Sequence, residues 1–91
     1  MKEIWRKDLP PLWSRAANNE WQSLFDEKTK NRIRRLIQSI YNDGLLCGLG
    51  KPEILKHRTE FSRRINHKDR LIYDLNSDKR LIILSIIGHY E

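Results

Sequence analysis

The sequence predicts an α+β domain, with two helices packed on one face of an antiparallel sheet in the order β-α-α-β-β-β. Three observations lead there. Residues 60–65, Arg70–Leu75 and 81–87 are short apolar runs rich in β-branched and aromatic side chains. Turn-formers separate them, at Asn66 to Asp69 and at Asn76 to Asp78, as expected of strands joined by hairpins. Upstream, two stretches repeat their apolar residues at helical spacing.

Taken in order, residues 2–6, with Ile4 and Trp5, read as a short first strand. Asp8 is placed to cap a helix whose first turn holds Pro10 and Pro11, where a missing N–H costs little. Leu12, Trp13, Ala16, Ala17, Trp21, Leu24 and Phe25 form one stripe, favouring a single helix over residues 9–26 against a break at Asn18-Asn19. The spacing accounts for the tryptophans as core. Thr29 is placed to cap a second helix, buried through Ile33, Leu36, Ile37, Ile40 and Tyr41 and stopped near Gly44. In the second of the three runs, Leu71, Tyr73 and Leu75 share one face, and Arg70, Ile72 and Asp74 the other. The last run is apolar on both faces, so it belongs in a central, covered position.

The 91 residues are expected to form one domain, residues 1–91. A net charge of +6 and a pI near 9.8 point to a polyanionic partner, nucleic acid or an acidic protein. No apolar run approaches membrane-spanning length, and no basic helix has a bulky apolar face to insert. The start, MKEIWRKD, has no apolar leader segment. Cys47 is the one cysteine, which rules out an intrachain disulfide and fits a reducing, cytoplasmic location.

Charge is unevenly spread. From Lys51 to Arg70 there are seven Lys or Arg against three acids. From Lys28 to Arg35 there are five cations and no acid, and Lys28, Arg32 and Arg35 share a helical face. That face is either solvated or a contact for phosphates or an acidic partner segment.

Several chemistries are poorly supported. His57, His67, His89 and Cys47 lack metal-ligand spacing, LLCGLG is not a P-loop, and no serine sits in a nucleophile elbow. RNA cleavage without a metal or cofactor fits better, because RNA carries its own nucleophile, the 2′-OH. The catalyst must accept that proton, stabilise the charge on phosphorus and protonate the leaving 5′-oxygen. Glu53, Arg70, His89 and Tyr90 are residues of the required types. Histidine suits the acid, with a reference pKa of about 6.5.

The motifs add to this. Gly50-Lys51-Pro52-Glu53-x-Leu55-Lys56-His57, Ser62-Arg63-Arg64-Ile65, Arg70-Leu71-Ile72-Tyr73 and His89-Tyr90 occur in that order. With the opening Met1-Lys2-x-Ile4-Trp5, the set resembles the YoeB/Txe toxins of the RelE-type toxin–antitoxin superfamily. The resemblance implies a ribosome-dependent endoribonuclease that cuts mRNA in the ribosomal A site and is inhibited by a YefM-type antitoxin. It leaves room for a homodimer. By this resemblance Glu53 matches the base, Arg70 the phosphate-stabilising arginine, His89 the general acid and Tyr90 the substrate-orienting tyrosine. Lys51, Lys56 and one of Arg63 or Arg64 would meet the RNA backbone. A two- or four-residue turn after Ile65 puts Arg63 on the face of Arg70, whereas a bulge puts Arg64 there.

The chain departs from the family pattern at four places. Ile87 stands where the family commonly has arginine. The stretch 57–61 is short, residues 10–19 look inserted, and Glu91 follows the tyrosine. The Ile87 departure keeps a rival open: a weakened module that serves as antitoxin partner and transcriptional co-repressor. A ribosome-independent RNase is a third reading.

Overall fold

The computed structural model describes residues 4–56 and 58–88. The elements are β1 (Leu12–Trp13), α1 (Arg15–Gln22), α2 (Glu27–Asp43), β2 (Glu53–Ile54), β3 (Phe61–Arg64), β4 (Arg70–Leu75) and β5 (Leu81–Gly88). They build a five-stranded mixed sheet in the order β1-β5-β4-β3-β2. β1 runs parallel to β5, and every other neighbouring pair is antiparallel. The expected α+β class, two helices and C-terminal hairpins are present; β5, expected to be central, lies second from the edge, between β4 and the two-residue β1, and β4 is the central strand. Among the described residues, no helix is long and apolar enough to cross a membrane.

The N-terminal third differs from expectation. Among the described residues the first strand is Leu12–Trp13, which pairs with Ile82 and Ile83; Ile4, Trp5 and Arg6 of the expected strand 2–6 are not in a strand, and Lys2 and Glu3 lie outside the described residues. Residues 9–26 therefore do not form one helix: the chain is extended at Leu12–Trp13 before α1 begins. Ser14, not Asp8, caps α1, its Oγ accepting from the Ala17 N–H at 3.0 Å. Pro10 and Pro11 precede the strand, outside any helical turn. Segment 10–19, expected as an insertion, supplies β1 and the start of α1. Trp5 is buried nonetheless, its ring 5.1 Å from that of Tyr41. The strap around it is pinned by Tyr41 Oη–H to the Leu9 carbonyl (2.9 Å) and Arg80 Nε–H to the Pro10 carbonyl (2.8 Å).

α2 starts earlier than Thr29 suggests. Asp26 is the cap, accepting from the Lys28 N–H and from Thr29 Oγ1. The Thr29 hydroxyl bond, with the backbone N–H groups, holds the Asp26 carboxyl below its ordinary range. Gly44, at φ 110°, ends the helix, as expected. Ile33, Leu36 and Ile40 of α2 and Ala17 of α1 pack on Leu71, Tyr73, Leu81, Ile83 and Ile86 of the sheet. Burying a large aliphatic side chain stabilises by roughly 1.5–3 kcal/mol, so this layer holds both helices on one face.

The hairpin turns are built as the sequence suggests, by asparagines that accept from their own backbone. Asn76 Oδ1 takes the N–H groups of Asp78 and Arg80, and Lys79 adopts φ 64°. Asn66 Oδ1 takes those of Lys68 and Asp69.

Candidate active site

Strand alternation sorts the basic residues of β3. Arg64 pairs directly with Arg70, and Ser62 with Ile72 and Glu53, so these side chains share the sheet face turned away from the helices. Arg63 lies on the other face. The choice left open by the sequence is thereby settled: Arg64 is on the face of Arg70.

On that outer face Arg70 Nη1 lies 3.1 Å from Glu53 Oε1 and donates to Ser62 Oγ at 3.1 Å. The guanidinium is thus held between a carboxylate and a buried hydroxyl. The Arg70 side chain is 21% exposed and that of Glu53 56%, so the pair sits at the protein–solvent boundary. Gly88 is the partner of Arg70 on β5, so no side chain from that position covers the guanidinium. Arg64, on this face, is exposed, as are Lys51 and Lys56 on either side of Glu53 in sequence. His89 and Tyr90, the expected acid and orienting residue, lie outside the described residues, directly after Gly88 in sequence.

Arg63 corrects an expectation. It was a candidate for RNA contact, but its side chain is fully buried. Its five N–H donors are all used. Nε donates to Tyr73 Oη (2.9 Å), Nη1 to Ser39 Oγ (3.0 Å) and the Leu49 carbonyl (2.8 Å), and Nη2 to the carbonyls of Gly44 and Cys47 (2.6 Å each). Ser39 in turn donates to Asp43 at 2.6 Å, which links a carboxylate to the buried cation. No surface is left on Arg63 for a phosphate to touch.

Its role is to shape the loop that delivers Glu53. Carbonyls of residues 44–49 converge on the guanidinium, and the chain leaves through Gly50, at φ 87°. A Cβ there would stand 2.6 Å from Leu36 Cδ2, so the position requires glycine on two counts. The Arg64 N–H then donates to the Gly50 carbonyl at 2.6 Å, fastening the loop to β3 next to the site.

The basic face of α2 is only partly spare. Lys28 and Arg35 are exposed, whereas Arg32 is half-buried and donates to the carbonyls of Ile65 (3.3 Å) and Arg64 (3.2 Å). All three line a cleft of about 720 Å³ with Asn66. Sequence reasoning missed Ser62. The alternation that places Arg70 and Arg64 on one face would have found it, had the register been known.

Comparison with known proteins gives this arrangement its context. The family model for the YoeB-like toxin of bacterial type II toxin–antitoxin systems matches residues 16–90. The chain belongs to the YoeB-like toxin family. It is similar to Toxin YoeB of Synechocystis sp., at 41% identity over 73 residues, covering 78% of this chain and 83% of the relative. Its structure resembles the YoeB dimer from Staphylococcus aureus, with a TM-score of 0.82 and 38% identity, covering 90% of this chain and 98% of that one. It also resembles the heterotetrameric YoeB–YefM complex from the same organism, at a TM-score of 0.80 and 36% identity over the same shares. The family match begins at residue 16, within α1, so the buried Trp5 strap of this toxin lies upstream of the matched region.

Proposed function

We propose that this toxin is an endoribonuclease that cuts mRNA in the ribosomal A site and is held inactive by a YefM-type antitoxin. The observation that carries the reading is the Glu53–Arg70–Ser62 cluster on an open, basic face, beside the strand end that leads to His89 and Tyr90. In the resting pair, the Glu53 carboxylate accepts from Arg70. A substrate phosphate would compete for the guanidinium and release Glu53 to accept the 2′-OH proton. The 2′-oxygen then bonds to phosphorus, the P–O5′ bond breaks, and His89 protonates the departing oxygen, leaving a 2′,3′-cyclic phosphate. Arg70 stabilises the charge that develops on the phosphoryl oxygens. Tyr90 orients the substrate, and Lys51, Lys56 and Arg64 hold neighbouring phosphates. A ribosome that pins the mRNA in line supplies positioning that free RNA lacks.

The partners follow from charge and kinship. Lys28 and Arg35 offer cations to ribosomal RNA or to an acidic antitoxin segment. The S. aureus relatives support both a homodimer and a YefM-type partner. One observation favours a second reading, a weakened toxin acting mainly as antitoxin partner and co-repressor. Ile87 is 48% exposed, so an apolar side chain stands where the family commonly carries a cation.

Primer extension on mRNA with and without ribosomes tests the proposal. Cleavage should require ribosomes. Arg70→Ala and His89→Gln should each slow single-turnover cutting by about 10²-fold or more, with ribosome affinity nearly unchanged. Equal cutting of naked RNA removes the ribosome from the mechanism, and an active His89→Gln removes the acid.

A further inference from the structure

β5 is irregular close to the candidate site. β1 pairs with it only as far as Ile83. Beyond that point this edge of β5 meets α1 instead of a strand. On the opposite edge the ladder to β4 slips twice. Tyr73 faces Ile83, Ile72 faces Ser85 and Arg70 faces Gly88. Each slip places one more residue on β5 than on β4, which defines a β-bulge.

Bulges turn backbone groups out of the ladder, and such groups need new partners. α1 supplies them at both slips. Ser14 Oγ donates to the Leu84 carbonyl at 2.9 Å. Glu20 Oε1 accepts from the Ile86 N–H at 2.7 Å and from Ser85 Oγ at 3.1 Å. Ser85 Oγ in turn accepts from the Ile87 N–H at 3.3 Å. One carboxylate thus binds two successive residues of β5, and Ser85 extends the network to the Ile87 N–H.

We infer that Glu20 is a positioning residue of the active site: it holds the second bulge of β5 and so sets which residue stands opposite Arg70. The inference rests on the nuclease reading above. Without that bulge the ladder would run on from Ile72–Ser85 and bring Ile87 opposite Arg70 in place of Gly88. A branched side chain would then stand beside the guanidinium that must receive a phosphate. Glu20 touches no reacting group. It acts through the backbone of β5.

The test is a double-mutant cycle read by single-turnover cleavage on programmed ribosomes. Glu20→Ala should lower the rate at saturating ribosomes by on the order of 10- to 100-fold, the scale expected when a reacting group is misplaced by about an ångström. The ribosome concentration that gives half the maximal rate should not move. Glu20→Gln should restore most of the rate, since its amide oxygen still accepts from the Ile86 N–H. In an Arg70→Ala background, Glu20→Ala should cost little more, because the guanidinium whose neighbour the bulge sets is already gone. An active wild type with an equally active Glu20→Ala overturns the inference and leaves the nuclease reading intact. So does a full, additive loss in the Arg70→Ala background. A wild type that leaves mRNA whole on ribosomes overturns the nuclease reading and takes this inference with it. If Glu20→Ala melts below the assay temperature, Ser85→Ala carries the same cycle with a smaller drop, since it removes one of the two donors to Glu20.

Discussion

Arg63 and Arg64 are neighbours in sequence and opposites in every other respect. Arg63 points into the core, buries its guanidinium and spends three of its five donors on the loop before Glu53, the other two on Ser39 and Tyr73. Arg64 points outward, stays exposed and pairs across the sheet with Arg70. The two faces of β3 thus divide the labour of one dipeptide. The inner face builds the scaffold that delivers the carboxylate, and the outer face carries the charge that would meet RNA. A buried arginine is therefore as much a part of the site as an exposed one, though it never reaches the solvent.

The sharpest way to break this comparison is to substitute each arginine with methionine. Arg63→Met leaves the carbonyls of Gly44, Cys47 and Leu49 and the Tyr73 hydroxyl without the guanidinium donor, while Ser39 Oγ keeps the Leu49 N–H. Unsatisfied buried groups cost about 1–3 kcal/mol each, so a loss of at least about 3 kcal/mol of stability is expected. That is a large share of the roughly 5–15 kcal/mol typical of a domain. Arg64→Met should change stability by less than about 0.5 kcal/mol, as surface substitutions usually do. It should instead lower cleavage and the salt dependence of ribosome binding by up to about one phosphate contact. Urea unfolding and cleavage assays on the pair decide the matter. A stable Arg63→Met, or an unfolded Arg64→Met, would undo the division of labour.

A smaller effect is expected at Ile87. If the outer face lacks a cation there, Ile87→Arg should raise single-turnover cleavage several-fold by adding a charge-assisted hydrogen bond to phosphate. Because Ile87 is 48% exposed, the melting temperature should hardly move. A slower enzyme with a depressed melt would mean that Ile87 packs, and that the weakened-toxin reading has lost its support.

The smallest effect lies at the start of α2. Asp26 caps α2 with a carboxyl held below its ordinary range by Thr29 and the backbone N–H groups. A carboxyl lowered on folding stabilises the protein above its unfolded value, here 3.8, and that stability fades as pH falls through the lower folded value. Asp26→Asn keeps a capping oxygen but no titrating charge. The melting temperatures of wild type and variant should differ slightly at pH 7 and converge below about pH 4. Curves that stay parallel down to pH 2 would assign the capping contribution to hydrogen bonding alone.

The C-terminal half was legible because its signals are local. β-Branched runs between asparagine turns make hairpins wherever they occur, and the middle run, Arg70–Leu75, has the expected bounds. The N-terminal third was not, because Ile4-Trp5 and Leu12-Trp13 look alike. A two-residue strand is too short to show a period. Only pairing with Ile82 and Ile83 selects Leu12–Trp13. The α2 cap was misread for a similar reason: Asp26 and Thr29 both cap helices, and the structure uses the first and bonds the second to it.

The residues of the candidate site were readable one by one, as types and motifs: a carboxylate after proline, an arginine opening a strand, a histidine and tyrosine near the end of the chain. Sequence also determined the charge that surrounds them and the class of sheet that carries them. It could not decide the register. A single residue of slip exchanges the faces of a strand, and whether β3 turns Arg63 or Arg64 outward depends on how residues 65–69 close the hairpin. Nor could it foresee the bulges of β5, which lie beyond the end of β1 at Trp13, where Ser14 and Glu20 bond the backbone of the strand. Those are contacts between residues far apart in sequence, so their energies exist only once the chain has folded.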